Sequence, residues 1–150
     1  MRERTIASHF VRAALRGAER HGHDCLPLLR QLNIQPALLD EPRARVAPEQ
    51  FAHLLQLLWE RLDDEYLGFG RTASKRGTFA MMCHAIIHCR SLEKALGRGA
   101  LFYSLFPEAP TISLSREGDW ARLSVDDSNL LDPDHFLVES LLVIWHRLGS

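Results

Sequence analysis

The 150-residue chain lacks the excess of basic residues that a nucleic-acid-binding protein of this size usually carries. It holds 18 lysine and arginine residues against 19 aspartate and glutamate residues, which gives a net charge of -1. Cysteine is scarce, and an odd number of three residues (Cys25, Cys83 and Cys89) does not make a disulfide framework. We therefore expect reduced thiols and no direct contact with DNA.

Long hydrophobic segments are also missing. No stretch approaches the roughly 18 uninterrupted apolar residues that a membrane span needs. The N-terminus, MRERTIASHF, is charged and then amphipathic, without the apolar core of a signal peptide. These absences predict a cytoplasmic protein that makes no use of a membrane.

What is present is ordinary globular composition, with 46% apolar and 25% charged residues. Apolar residues at helical spacing predict six helices. Their expected bounds are 8–22, 25–33, 48–62, 78–89, 92–106 and 134 to the end of the chain. From Thr111 to Val125 the period changes to an alternation, with a turn at Glu117-Gly118-Asp119, which indicates a β-hairpin. The predicted fold class is α+β: one helix-rich domain over residues 1–150, with a small antiparallel hairpin packed on helices.

A metal site is the first chemical hypothesis to weigh. His84 and His88 are four residues apart between Cys83 and Cys89, so on one helix they would share a face and could bind zinc or a haem-like metal. The competing interpretation is a core or pocket wall, because Cys83 follows the apolar stripe of this helix and no second ligand pair appears. The second interpretation is the stronger one.

Motifs for catalysis are missing: there is no G-x-S-x-G elbow, no Walker loop and no G-x-G-x-x-G. No cofactor is indicated, and we expect a protein that is not an enzyme. The acidic runs Asp63-Asp64-Glu65 and Asp126-Asp127 are interpreted as solvated ends of elements. Glu139, inside an apolar helix, is expected to be buried and to need a partner or a bound ligand.

Aromatic and sulfur-containing side chains suggest an apolar pocket with a few polar groups. The candidate ligand-binding residues are Phe79, Met82, Cys83, His84, Ile86, Phe102, Tyr103, Phe106, Trp120, Glu139 and Trp145. The alternative is that these side chains simply fill the core. The last helix, which is apolar almost all round, is the candidate homodimer surface. The residues assigned to that surface are Leu137, Leu141, Ile144, Trp145 and Leu148.

The order of these segments resembles a known family. The run PEQFAHLLQLLWERLDDEYLG (48–68) is similar to the N-terminal half of AraC/XylS-type bacterial transcription regulators. So are GTFAMMCHAIIHCRSLEKALGRGALFYSLF (77–106), the hairpin that follows it, and DHFLVESLLVIWHRL (134–148). The similarity runs collinearly from about His9 to Leu148.

The resemblance implies an effector-binding and dimerisation domain, called arabinose-binding-like even where the ligand differs. Regulators of this type respond to amino acids, amines, fatty acids or other metabolites. They bind DNA through a C-terminal domain with two helix-turn-helix units, which is absent from these residues. Because the sequence stops just behind its most apolar segment, we expect the natural protein to continue past Ser150. Two alternatives remain: a protein-interaction module without a ligand, and a metal or haem sensor using His84 and His88.

Overall fold

The computed structural model describes residues 4–107 and 109–148. Over these residues the α-helices are α1 (Ser8–Arg20), α2 (Leu26–Gln31), α3 (Pro48–Leu62), α4 (Thr78–Ile86), α5 (Leu92–Ser104) and α6 (Phe136–Leu148). The strands are β1 (Ile6–Ala7), β2 (Arg45–Val46), β3 (Thr111–Glu117) and β4 (Trp120–Asp126), and a short 3-10 helix covers Pro36–Asp40. The predicted α+β, helix-rich fold is therefore confirmed, with its six helices and its hairpin.

Two small antiparallel sheets form, β1 with β2 and β3 with β4. The first sheet has two residues in each strand, which is too short to produce a detectable alternation, so the sequence did not predict it. None of the helices in the described ranges is long and apolar enough to cross a membrane.

The largest part of the core lies between α1, α3 and the loop that follows α3. Helix α1 buries Val11, Ala14, Leu15 and Ala18 along one stripe, since these residues recur at helical spacing. Leu54 and Leu58 of α3 and Phe69 of the loop complete this region and are almost completely buried. The core thus fixes the loop against α1.

That loop is built on a buried carboxylate. Asp64 accepts hydrogen bonds from the backbone N–H groups of Tyr66, Gly68 and Ser74, at 2.8, 2.9 and 2.8 Å. Glu65 accepts two more, from Gly77 and Phe79, and so holds the start of α4. The interpretation of this acidic run as a solvated end is wrong for Asp64, which is buried. An aspartate bonded to the N–H two residues ahead is an Asx turn, and this local signal was available in the sequence.

Helix α6 packs against the rest of the chain through one face only. Asp132 caps it, since its carboxylate accepts hydrogen bonds from the N–H groups of Phe136, Leu137 and Val138. Burial raises the pKa of this carboxyl above its usual value in spite of these bonds. The expectation that Glu139 is buried is wrong, because the described packing of α6 leaves it exposed. Leu142, Val143 and Ile144 are also exposed.

Candidate functional site

Three of the candidate ligand-binding side chains pack together where α4, α5 and α6 meet. Met82, Tyr103 and Trp145 are all buried. Gly99 of α5 makes this possible: a Cβ there would lie 2.9 Å from Trp145 Cη2 and 3.2 Å from Met82 Sδ. The ring centroids of Tyr103 and Trp145 are 6.3 Å apart. The three side chains therefore fill the core at this point.

The structure distributes other candidates over separate surface clefts. Cys83 and Ile86 line a cleft of about 440 Å³ at the end of α4. Phe106 contributes to a smaller cavity of about 200 Å³ beside Tyr66, and Glu139 to a cleft of about 490 Å³ beside α1. Phe79 and Phe102 are half-buried against the core, and His84 is exposed. One cavity lined by all of the candidates does not form among the residues described.

Burial raises the pKa of two phenols and one thiol near these helices. The pKa of Tyr66 rises to about 12, and that of Tyr103 also rises. Burial raises the pKa of the Cys83 thiol as well, with a smaller contribution from the charge of Glu65. These groups are therefore neutral near pH 7, and a neutral thiol is a poor nucleophile and a poor metal ligand.

The histidine pair does not have the geometry that the metal hypothesis assumed. Helix α4 ends at Ile86, so His88 lies beyond the helix that carries His84. Both side chains are exposed. Within the described residues, no group of three or more histidine, cysteine, aspartate or glutamate side chains is placed to hold a metal ion.

Trp120 belongs to a cleft of about 370 Å³ between the start of α5 and the hairpin. The apolar lining is Leu92, Leu96, Leu114, Trp120 and Ala121, and the polar lining is Glu93, Ser115, Arg116 and Asp119. Arg116 and Glu93 form an exposed ion pair across the cleft, with 3.8 Å between Nη1 and Oε2. Apolar walls with a few polar groups are typical of small-molecule sites.

The local sequence explains how these residues meet. Ser91 caps α5 by accepting a hydrogen bond from the Lys94 N–H at 3.2 Å, so Leu92 and Leu96 fall on the first turns of that helix. Alternation along β3 places Leu114 and Arg116 on the same face of the hairpin. Of the residues that line this cleft, Trp120 alone is among the candidates that the sequence suggests. The remaining lining residues gave no signal, because single leucines and charges at element ends are common everywhere.

Trp120 is the most exposed of the large apolar side chains, with 81% of its surface accessible. It follows a two-residue turn, Gly118-Asp119, in which Gly118 has a φ of 59°. A positive φ at the first turn position is the type II′ geometry that suits the twist of a hairpin. The turn thus presents the indole at the mouth of the cleft.

Comparison with known proteins identifies the family. The model for the arabinose-binding domain of AraC transcription regulators, N-terminal, matches residues 22–150, which include α5, the hairpin and the cleft between them. No curated protein and no solved structure matches the chain. The resemblance of the sequence to AraC-type regulators is confirmed, and the family is one of regulatory ligand-binding domains. The chain belongs to the family of N-terminal arabinose-binding domains of AraC transcription regulators.

Proposed function

We propose that this chain is the ligand-sensing and dimerisation domain of a bacterial AraC-type regulator. A small metabolite bound by it would control DNA binding by a C-terminal domain that lies outside these 150 residues. The family match over residues 22–150 supports the regulatory role. The balanced charge of these 150 residues supports a separate DNA-binding domain, because the basic residues that bind DNA phosphates would belong to that C-terminal domain.

The effector site in this proposal is the cleft between α5 and the hairpin. The observation that carries it is the Trp120 indole, a large aromatic surface left in water beside Leu92, Leu96 and Leu114. An apolar ligand body seated there would remove this surface from water, which is favourable by about 25 cal/mol for each Å² buried. Arg116, Glu93 and Asp119 would orient its polar groups.

The mechanism follows from where the cleft lies. Its two walls are different elements, α5 and the hairpin, so a ligand that contacts both favours one relative position of the two. Such a ligand shifts the population of conformations by as much as its affinity for them differs. In a homodimer that shift would alter the orientation of the attached DNA-binding units and hence the spacing of the half-sites they reach.

The position of Trp120 also supplies the test. The chain has three tryptophans, and Trp145 is buried whereas Trp120 is exposed. Titration with metabolites should shift the tryptophan emission to shorter wavelength in a saturable manner, and Trp120→Phe should abolish the shift.

A matched pair of variants locates the site. Ala121 pairs with Arg116 and lies on the same face of the hairpin as Leu114, so Ala121→Arg places a long side chain in the cleft. This variant should weaken ligand binding at least about tenfold, because a cleft of this size has no room for both. Ser113→Arg, exposed on the opposite face of the hairpin and outside the cleft lining, should bind normally. A ligand that binds both variants equally well would place the effector site elsewhere. The absence of a thermal shift with any metabolite would favour the interaction module instead.

A homodimer is part of this proposal, and the sequence predicts its contact on α6. The structure places Leu137 and Trp145 in the chain's own core and leaves Leu141 half-buried. Ile144 is exposed beside Leu142 and Val143, whereas the side chain of Leu148 lies outside what the structure describes. An α6 contact would therefore use the outer face that contains Ile144.

A further inference from the structure

The outer edge of β4 is an open strand edge. Over the described residues β4 pairs with β3 on one side and with no strand on the other, and α5 packs against β3. The pairing of β3 with β4 is continuous from Thr111 opposite Asp126 to Glu117 opposite Trp120. Natural proteins protect an edge of this length with a bulge, a proline or charged side chains. The strand WARLSVD has no proline and its pairing has no bulge, and its two charged residues, Arg122 and Asp126, are of opposite sign. Such an edge is suited to pairing with a strand whose charges are complementary.

The turn determines which backbone groups face outward. In a two-residue hairpin the residues that flank the turn, here Glu117 and Trp120, form a hydrogen-bonded pair, and such pairs then alternate along the ladder. The N–H and C=O groups of Ala121, Leu123 and Val125 therefore point away from β3. They would supply the hydrogen bonds for an added strand.

Two copies of β4 have complementary side chains when they pair antiparallel with Ser124 of one copy opposite Ser124 of the other. In that arrangement Leu123 lies opposite Val125 of the second copy, and both belong to the half-buried face of the sheet. Arg122 lies opposite Asp126 of the second copy on the other face. The latter is a non-hydrogen-bonded pair, in which the side chains of an antiparallel ladder come closest.

The two charges are available for this pairing. Arg122 is exposed, and in the described part of the chain it forms no ion pair. Asp126 is exposed, and the hydrogen bond from the Ser128 N–H holds its pKa below the usual value, so it is charged near pH 7. Arg122 and Asp126 of one chain lie four residues apart on one strand, about 13 Å, which is too far for them to pair with each other.

The edge of β3 does not offer the same match. If two copies of β3 pair antiparallel with Ser113 opposite Ser113, Ile112 lies opposite Leu114 and Thr111 lies opposite Ser115. This arrangement brings no opposite charges together. Charge complementarity thus distinguishes β4 from the other strand of the same hairpin.

We propose that a second copy of this chain docks on the outer edge of β4, and that the two hairpins form one four-stranded antiparallel sheet. This inference rests on the proposed function and gives its dimerisation part a contact, which can be tested separately from the effector cleft because Arg122 and Asp126 are not part of the cleft lining. Loss of self-association with retained ligand-induced emission changes would separate the two.

A charge exchange tests the contact. Sedimentation velocity over a concentration series should show a monomer–dimer equilibrium for the unmodified chain. Arg122→Asp should weaken the dimer at least about tenfold, because two symmetry-related attractive pairs become repulsive. The double variant Arg122→Asp with Asp126→Arg should recover most of the lost affinity. Recovery of this kind requires a contact between copies. Arg43→Asp, the same charge change at an exposed residue outside the hairpin, should have little effect.

Three outcomes would overturn the proposal. They are a chain that stays monomeric at all concentrations, a double variant that is no better than the single one, and a dimer that Ile144→Asp on α6 dissociates while the β4 variants do not. Hydrogen exchange on the unmodified chain gives a readout that needs no substitution. The amides of Ala121, Leu123 and Val125 should be protected at high concentration and lose that protection on dilution. Equal exchange rates at both concentrations would also contradict the contact.

Discussion

Gly17 lies directly against the backbone of Leu67, so that a Cβ built on Gly17 would stand 1.9 Å from the Leu67 carbonyl oxygen. Helix α1 and the loop after α3 are therefore in contact without a side chain between them. Gly17→Ala should destabilise the fold by at least about 1–3 kcal/mol, the usual cost of overpacking, since the obstructing atom belongs to the backbone. Chemical denaturation measures this change.

Gly97 offers the matched control for that substitution. It lies inside α5, and a Cβ there would meet nothing within 4 Å. Gly97→Ala should stabilise the chain by about 0.5–1 kcal/mol, because alanine loses less backbone entropy in a helix. Equal effects of the two substitutions would contradict the close contact between α1 and the loop.

The stability of the fold should depend far more on the carboxylate of Asp64 than on that of its neighbour Asp63. Asn in place of Asp64 keeps the shape but turns an N–H group toward one or two of the three backbone donors, at a cost of about 1–3 kcal/mol. Asp63 forms an exposed ion pair with Lys75 at 2.9 Å, and Asp63→Asn should change stability little. Urea unfolding of the two variants gives the comparison.

The N-cap of α5 should tolerate another residue at position 91 if that residue accepts the hydrogen bond from the Lys94 N–H, whatever its size. Ser91→Ala removes the acceptor for the Lys94 N–H and should cost about 0.5–2 kcal/mol, as N-cap losses usually do. Ser91→Asp retains an acceptor and should keep most of that stability, which thermal unfolding can measure. If both variants lose the same amount, the hydrogen bond is not what Ser91 contributes.

His135 should make stability depend on pH around neutrality. Its Nδ1 lies 2.8 Å from Asp127 Oδ2, and this hydrogen bond raises the pKa of His135, with smaller contributions from Asp132 and Glu139. Protonation is thus favoured in the folded state. The stabilisation is fully present below the unfolded pKa of about 6.5, as long as Asp127 is ionised, and is lost as the pH rises through the higher folded value.

An asparagine variant isolates this effect. His135 has a φ of 55°, and asparagine tolerates that conformation better than most residues. The melting temperature of the unmodified chain should exceed that of His135→Asn near pH 5.5, and the difference should shrink above pH 8. A difference that does not vary with pH would rule out the ion pair as its source.

The periodicity of apolar residues predicted the helices and strands well, but it did not predict what their buried faces contact. The stripe of α3 gave the bounds of that helix and the alternation gave the bounds of the hairpin to within one residue, because each pattern repeats over several turns or residues. An apolar stripe shows that a face is buried, but not whether it meets a cavity or another helix. For this reason Met82 and Trp145 were expected in a pocket, whereas they pack on Gly99.

The burial of charged residues was also hard to predict from the sequence. Asp64 and Glu139 were each judged from sequence neighbours, the first among acids and the second among leucines. Their burial is the reverse of that expectation, because three-dimensional packing decides which side of an element faces water. Trp120, one of the candidate ligand-binding residues, lines a cleft, and its place beside the Gly118-Asp119 turn fixes it locally.

The missing side chain at Gly99 has a mechanical consequence. The Trp145 indole lies against the backbone of α5 itself, because glycine leaves no Cβ between them. Helix α5, one wall of the cleft, is therefore in direct contact with α6, and a movement of α5 toward α6 would be transmitted to it through the Trp145 ring.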